Sequence, residues 1–187
     1  MKSVIDSWDA VEAPAAPPLQ PVQLDPRTSA LLVLDLQNGN CNSERMPRCV
    51  DTLAGIGEFI GRARSQKILI VYSLTSKATP ADIRPEVVPL PEEPIVRSGV
   101  DKFYNTDLAD ILQQAGCQTV VMVGTAAEGA ILHTAAGAAL RGYNLVVPVD
   151  GLSSSNLYAE QYTAWHLVNA PGTKKRTTLS RMDSISF

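Results

Sequence analysis

Charged residues that could carry acid/base chemistry stand directly after three predicted strands. They are Asp35 after residues 30–34, the segment 97–102 after residues 95–96, and Glu128 after the turn that follows residues 120–123. A carboxylate and a cation brought together from separate strands can act as a general acid/base pair, because the cation holds the carboxylate in place and shifts its pKa. The alternative is a plain ion pair that ties two loops together.

The chain is organised around residues 120–135, in which a buried strand leads through a turn of small residues into an Ala/Gly-rich helix that runs to about Arg141. In an open α/β sheet the ligand crevice lies at the carboxyl ends of the strands, where the first N–H groups of the next helix are unpaired. The pocket is therefore predicted around residues 125–130. Because the side chains of this turn are small, the backbone is expected to approach the ligand and the chemistry to come from elsewhere.

Strands and helices alternate through the rest of the chain. Apolar spacing predicts helices at 47–64, 106–114 and 158–168, the second with Thr106 as its N-cap, and strands at 68–73, 145–150 and 177–179. Residues 78–94 carry five prolines and are expected to form an irregular loop. Continuous apolar strands that alternate with helices predict an α/β domain, with a parallel sheet centred on 30–34, 68–72 and 120–123 and helices on both faces.

Composition limits the class of partner. A chain of 187 residues with a formal charge of -3 and a pI near 5.4 has one-domain size and no basic stripe, so neither nucleic acid nor a membrane surface is expected as a partner. A small-molecule substrate is favoured. Three cysteines without a C-x-x-C motif argue against a disulfide framework, and no apolar run is long enough to span a bilayer. These features predict a cytoplasmic protein.

Metal and cofactor signatures are missing from the sequence. The chain has two histidines, His133 and His166, and no His-x-His pair, so no catalytic metal site of the usual ligand types is predicted. The first strand is not followed by G-x-G-x-x-G, and G-x-S-x-G is absent, so neither a dinucleotide site nor a hydrolase nucleophile elbow is expected. His133 lies one helical turn past Gly129 and could face either the pocket or the sheet.

The first 28 residues differ in composition from the rest. They contain five prolines among small and polar residues, so an extended arm is predicted at 1–28 and the domain proper at 29–187. Trp8 could anchor this arm to a second subunit. The alternative is a flexible tail without a binding surface.

Three motifs, in the right order, resemble the isochorismatase-like (cysteine hydrolase) superfamily. They are Leu34-Asp35-Leu36-Gln37-Asn38, then Phe103-Tyr104-Asn105-Thr106-Asp107-Leu108, then Val123-Gly124-Thr125 with Thr134-Ala135 and Ala139-Leu140-Arg141-Gly142-Tyr143. The resemblance implies a Rossmann-like three-layer αβα sandwich with a mainly parallel sheet, no cofactor, and a homo-oligomer, either a dimer or a tetramer. It also implies hydrolysis of small amides by an Asp, a Lys and a Cys, whereas one branch of the superfamily cleaves the vinyl ether of isochorismate.

The resemblance assigns roles to particular residues. Asp35 falls on the acid/base aspartate. The family's spacing places Arg97 where the lysine usually stands, but an arginine stays protonated, so Lys102 is assigned the lysine role and Arg97 an anion contact. Further substrate-binding positions are implied at Gln37, Tyr104, Ala126, Ala127, Glu128 and His133. A non-proline cis peptide that shapes an oxyanion hole is expected at Ala126-Ala127.

Ala130 stands where the superfamily has its nucleophilic cysteine, so no thiolate can form at that position. A native alanine favours thiol-free acid/base chemistry, as in the vinyl-ether branch, or a catalytically silent relative that binds a metabolite or a partner. An alanine engineered from cysteine would make the chain an ordinary amidase. A rigid structural dimer module is favoured only if side chains plug the pocket.

Overall fold

A computed structural model describes residues 3–187, so the first two residues of the predicted arm lie outside the described part. Its strands are β1 (Val22–Gln23), β2 (Ser29–Leu34), β3 (Leu69–Leu74), β4 (Ile95–Arg97), β5 (Thr119–Thr125), β6 (Asn144–Pro148), β7 (Leu152–Ser153), β8 (Thr177–Ser180) and β9 (Ile185–Ser186). Its α-helices are α1 (Pro47–Ser65), α2 (Leu108–Gln114), α3 (Leu132–Leu140) and α4 (Leu157–Asn169). A π-helical turn, Ala127–Ile131, runs directly into α3.

The main sheet is parallel and has the strand order β4-β3-β2-β5-β6-β8, with the short β7 paired to the end of β5. β2 lies between β3 and β5, so the three strands that were predicted at the centre of the sheet are neighbours. All six residues of β2 are buried, because both faces of the sheet are covered. The predicted α/β class with a mainly parallel sheet is therefore confirmed.

Alternate residues of the central strands pack into two separate hydrophobic cores, one on each face of the sheet. Leu31 and Val33 pack with the apolar face of α1, whereas Ala30, Leu32 and Leu34 pack with residues of α2, α3 and α4. The result is three layers, with α1 on one face of the sheet and three helices on the other. The carboxyl ends of β2 and β5 are thus held between two packed layers.

Helix α2 begins later than predicted. It starts at Leu108 with Asp107 at the N-cap position, and the Asp107 side chain makes no cap hydrogen bond. The Thr106 hydroxyl accepts from the Leu108 N–H at 3.3 Å and also donates to the carbonyl of Lys102. This hydroxyl therefore holds the preceding turn, which carries a candidate catalytic residue.

The prediction against a disulfide is wrong. Cys41 and Cys49 form one, with their Cα atoms 5.3 Å apart, a separation that suits a bridge. The turn before α1 brings the two residues together, and the odd count leaves Cys117 as the free cysteine. No helix within residues 3–187 is long and apolar enough to cross a membrane. The cytoplasmic location stays a prediction.

The end of the predicted arm is attached to the domain. β1 pairs in parallel with β9, and the Gln20 N–H donates to the Leu179 carbonyl at 2.9 Å. Residues 8–16 take no part in strand pairing and are exposed, and Trp8 is 64% exposed. The division at residue 28 stays a prediction, but residues 20–24 lie against the last strands of the chain.

Candidate functional site

Asp35 and Lys102 form a buried ion pair at the carboxyl ends of the strands. Lys102 Nζ donates to Asp35 Oδ2 at 2.7 Å, and the two side chains are 0% and 6% exposed, respectively. The ammonium group also donates to the carbonyls of Gly99, at 2.6 Å, and Ser98, at 3.4 Å. All three ammonium protons thus have acceptors, so the charge can be held in the interior.

Asp35 is fixed by the neighbouring strand as well as by the lysine. Ser73 stands next to Leu34 in the parallel register of β2 and β3, and its Oγ donates to Asp35 Oδ1 at 2.8 Å. The Asp35 N–H in turn donates to Ser73 Oγ at 3.2 Å. Asp35 adopts the left-handed conformation, with φ of 54°, which is uncommon outside glycine. Such local strain persists where the surrounding structure fixes it and is found preferentially at functional sites.

The turn that carries Lys102 is packed against α3. At Gly137, a Cβ atom would lie 2.9 Å from Asp101 Oδ1 and 3.2 Å from the Phe103 ring, so only glycine allows this approach. The Lys102 N–H donates to Thr134 Oγ1 at 3.2 Å, and that hydroxyl donates to the Val100 carbonyl at 3.3 Å. Helix α3 therefore aims the lysine at the end of β2.

The pKa of the Asp35 carboxyl is raised above its ordinary value. Burial is the largest cause, because it disfavours the charged form. The positive charge and hydrogen bond of Lys102, and the hydrogen bond of Ser73, act in the opposite direction without cancelling it. A carboxyl with a raised pKa retains its proton at higher pH and is better placed to donate it.

The end of β5 lies beside Asp35. Gly124 pairs with Leu34, and a Cβ atom at Gly124 would lie 2.1 Å from the Leu34 carbonyl oxygen, so the two strand ends touch. The next peptide, Thr125-Ala126, is cis. The expected cis bond at Ala126-Ala127 is therefore wrong by one residue, because Ala126 is already extended and Ala127 begins the π-helical turn.

Ala130 lies in that π-helical turn and is 3% exposed. It belongs to the same apolar cluster as Leu34 and Phe103, the chain neighbours of Asp35 and Lys102. A Cβ atom at Gly129 would lie 4.0 Å from Val100, which places the turn against the segment that carries the lysine. The group that meets the Ala130 N–H stays a prediction.

The other proposed substrate positions are placed differently from one another. The Gln37 amide is buried and bonded to Thr75, to the hydroxyl at 2.7 Å and to the N–H at 3.2 Å, so it joins the ends of β2 and β3. Arg97 and Tyr104 are exposed. His133 is also exposed, with Nδ1 2.9 Å from the Gly129 carbonyl oxygen. Arg97 is not paired with Asp35, and Lys102 is the cation that contacts this carboxylate.

Unpaired buried polar atoms cluster near the end of β5. Within residues 3–187 they are Glu128 Oε2, Ser153 Oγ and Ser154 Oγ. Ser153 pairs with Thr125 in the register of β7 and β5, and Glu128 lies in the π-helical turn that follows. Sequence reasoning proposed Glu128 but missed both serines and also Ser73, since strand register decides their position.

Two surface cavities, of about 280 and 370 Å³, lie elsewhere. One is lined by residues of β3 and the loop 90–94, the other by Pro171, Gly172 and residues 174–176, and neither includes Asp35, Lys102 or Ala130. Within residues 3–187, no group of three or more His, Cys, Asp or Glu side chains could hold a metal ion.

Comparisons with known proteins place the chain in a family. A streptothricin hydrolase from Streptomyces noursei is 30% identical over 161 residues, which cover 80% of this chain and 62% of that protein, so this chain spans less than two thirds of its relative's length. An isochorismatase-like hydrolase from Alkaliphilus metalliredigens superposes with a TM-score of 0.76 at 22% identity, over 83% of this chain and 87% of that one. An N-carbamoylsarcosine amidase from Thermoplasma acidophilum gives 0.73 at 22%, over 83% and 97%. Residues 29–178 match the isochorismatase domain. The chain therefore belongs to the isochorismatase family.

Proposed function

We propose that this chain is a hydrolase that acts on a small molecule by acid/base chemistry of Asp35 and Lys102, without a thiol nucleophile. The observation that carries the proposal is the buried ion pair at the carboxyl ends of the strands, with Lys102 Nζ 2.7 Å from Asp35 Oδ2. Asp35 moves the proton, and Lys102 holds the carboxyl group in place. Of the two side chains only Asp35 reaches the surface, so it is the partner that a substrate meets.

Cleavage of a vinyl ether suits these groups best. Protonated Asp35 gives its proton to the terminal vinyl carbon, whose double-bond electrons form the new C–H bond. Water adds to the resulting oxocarbenium carbon and returns a proton to the Asp35 carboxylate. The hemiketal then breaks its bond to the alcohol oxygen, the hydroxyl group loses its proton and the alcohol oxygen gains one, which leaves a ketone and an alcohol. The raised pKa of Asp35 favours the donating form that the first step needs.

An amide C–N bond is the second candidate bond, and the similarity to a streptothricin hydrolase and the fold shared with an N-carbamoylsarcosine amidase favour it. Without a protein nucleophile, water has to attack the carbonyl carbon directly. The Asp35 carboxylate would take the proton from that water and pass it to the leaving nitrogen. The covalent step that a nucleophilic side chain would supply is then missing, so the amide reaction is expected to be the slower of the two.

A different kind of function is favoured by Ala130 itself. Without a nucleophile at this position, the cleft can bind a metabolite or a partner with no turnover at all. Asp35 and Lys102 would then serve as a fixed polar contact for the bound molecule. An alanine engineered from cysteine would give the same behaviour while the parent protein remained an amidase.

Turnover by the unsubstituted chain and by Ala130→Cys separates these functions. Both are assayed on isochorismate and on a panel of small amides, with Ala130→Ser as a control that adds a polar atom but no thiol. Cleavage of isochorismate by the unsubstituted chain supports the proposal. Activity on amides that appears only in Ala130→Cys supports a silent or engineered chain, and no turnover by any of the three overturns the hydrolase proposal.

A further inference from the structure

Helix α4 presents an aromatic stripe that the chain itself leaves uncovered. Tyr158, Tyr162 and Trp165 follow one another at helical spacing and remain 65%, 40% and 38% exposed. Neighbouring rings stack with centroids 6.3 and 6.4 Å apart. Aromatic side chains bury a large area at low entropic cost, which is why they are enriched at the centres of protein interfaces.

A basic loop follows directly after this helix. Lys174, Lys175 and Arg176 are exposed and line the cavity of about 370 Å³ together with Pro171 and Gly172. Arg176 donates to the Gly142 carbonyl at 2.6 Å, while residues 174 and 175 extend from the loop beside it. The helix stripe is apolar, and the loop that follows α4 in the chain is positive. We call the two together the α4 surface.

The segment 3–12 has the complementary character. Its apolar residues Val4, Ile5, Trp8 and Val11 stand at helical spacing and are 79%, 70%, 64% and 76% exposed. Asp6 and Asp9 lie between them and Glu12 follows Val11, and the segment contains no lysine or arginine. Its charge of -3 therefore opposes the three positive charges of the loop. Trp8 begins a short 3-10 helix, so the segment already has helical turns.

We propose that segment 3–12 of one chain docks on the α4 surface of a second copy of this chain. Its apolar residues would cover the aromatic stripe, and its carboxylates would meet Lys174 and Lys175. In the isolated chain both surfaces remain exposed although they belong to the same molecule. The arm is held at residues 20–24 by β8 and β9, whereas the apolar residues of segment 3–12 remain exposed.

Sedimentation equilibrium of the full chain and of single variants tests the contact. The unsubstituted chain is expected to form a homodimer or larger homo-oligomer at micromolar concentration. Trp8→Ala and Tyr162→Ala should each raise the dissociation constant at least about tenfold, the effect expected for aromatic residues at the centre of an interface. Leu140→Ala is the matched control, because Leu140 is 79% exposed on α3 and belongs to neither surface. High salt should also weaken assembly, since exposed charges are screened.

A charge exchange identifies the partner surfaces. Reversing Lys174, Lys175 and Arg176 to glutamate should weaken assembly, and reversing Asp6, Asp9 and Glu12 to lysine in the same chain should restore it. Folding of each variant is checked by circular dichroism. A monomeric unsubstituted chain overturns the proposal, as does an oligomer that is indifferent to Trp8→Ala and Tyr162→Ala. Failure of the double reversal to restore assembly overturns the charge pairing.

Discussion

Two ion pairs of this chain have the same shortest distance and opposite characters. Lys102–Asp35 and Arg64–Glu93 both close to 2.7 Å. Arg64 binds its carboxylate through two nitrogens and also donates to the Val88 carbonyl, while Glu93 accepts a further bond from the Leu90 N–H. This pair ties α1 to the loop before β4 and lies 29% and 9% exposed. It has the geometry of a structural clamp.

The pair at the strand ends is built for a different purpose. Lys102 makes one contact with Asp35 and donates its other protons to backbone carbonyls. The carboxylate is therefore held by one hydrogen bond from Lys102 and one from the Ser73 hydroxyl. A lysine can also lose its proton, whereas an arginine cannot. Burial raises the pKa of Asp35 despite its cation. A reactive pair therefore differs from a clamp less in its N–O distance than in its location and in the number of hydrogen bonds that its carboxylate accepts.

The largest expected effect comes from converting each carboxylate to its amide. Asp35→Asn should lower kcat/KM on the cleaved substrate by about 10²- to 10⁴-fold, because the group that moves the proton is gone. Glu93→Gln is the same chemical change in the clamp and should leave turnover near that of the unsubstituted chain. Steady-state kinetics of both variants, with circular dichroism as the check on folding, make the measurement. Equal losses of kcat/KM in the two variants would contradict the distinction between a reactive Asp35 and a structural Glu93.

Removal of the cations should affect stability unequally. Lys102→Met leaves a buried carboxylate unpaired and is expected to cost about 3–5 kcal/mol of unfolding free energy at neutral pH. Arg64→Met leaves Glu93 closer to solvent and should cost about 1–3 kcal/mol. Urea unfolding of both variants measures the difference. A smaller loss for Lys102→Met than for Arg64→Met would contradict the assignment of Lys102 as the more deeply buried charge.

The pH dependence of this loss has a definite sign. In Lys102→Met the folded-state pKa of Asp35 rises further above its unfolded value, since the opposing charge is removed. The stability contribution of Asp35 is then fully present below the unfolded pKa and is lost as pH rises through the folded pKa. The ¹³C shift of the Asp35 carboxyl, assigned by its absence in Asp35→Asn, should titrate above the ordinary aspartate range in the unsubstituted chain and higher still in Lys102→Met. An ordinary midpoint in both would refute the argument.

Much of the fold followed from the sequence because the signals are local. Continuous apolar runs at β2 and β5 indicated strands covered on both faces, and the alternation with helices indicated a parallel sheet. Asp35 could be predicted as a site residue from a local signal too, because its charge directly follows the apolar run of β2. Helix limits were less accurate, as α2 shows, because the helix begins at Leu108 with Asp107 at the N-cap position. The Thr106 hydroxyl does accept from the Leu108 N–H, but it also donates to the Lys102 carbonyl.

The site was harder to predict because it depends on register and on close packing. The choice of Lys102 over Arg97 came from the chemistry of the two cations, and the contact depends on the turn 98–102 folding against Gly137. The Cys41–Cys49 disulfide could not be predicted from the sequence, because it depends on how the loop before α1 folds. Ser73 meets Asp35 only because β3 and β2 align Ser73 with Leu34, a register that no local pattern specifies.

Ser73 gives the smallest expected effect and the sharpest test of how Asp35 is held. Ser73→Ala removes both bonds of the Ser73 Oγ, the one to Asp35 Oδ1 and the one from the Asp35 N–H, but leaves the Ser73 carbonyl, which accepts from the Asp35 N–H at 3.3 Å. The expected loss is about 1 kcal/mol of stability, and an equal loss in the transition state would lower kcat/KM by about fivefold.

The matched control is Ser180→Ala, a fully buried serine whose Oγ donates to the Gln20 carbonyl at 2.7 Å, far along the chain from Asp35. Both variants should lose similar stability in urea. Ser73→Ala alone should also raise the pKa of Asp35, because the hydroxyl bond favours the ionised carboxylate, and should lower turnover. If the Asp35 carboxyl titrates identically in the two variants, Ser73 only fills space beside β2, and Lys102 by itself sets the behaviour of the carboxylate.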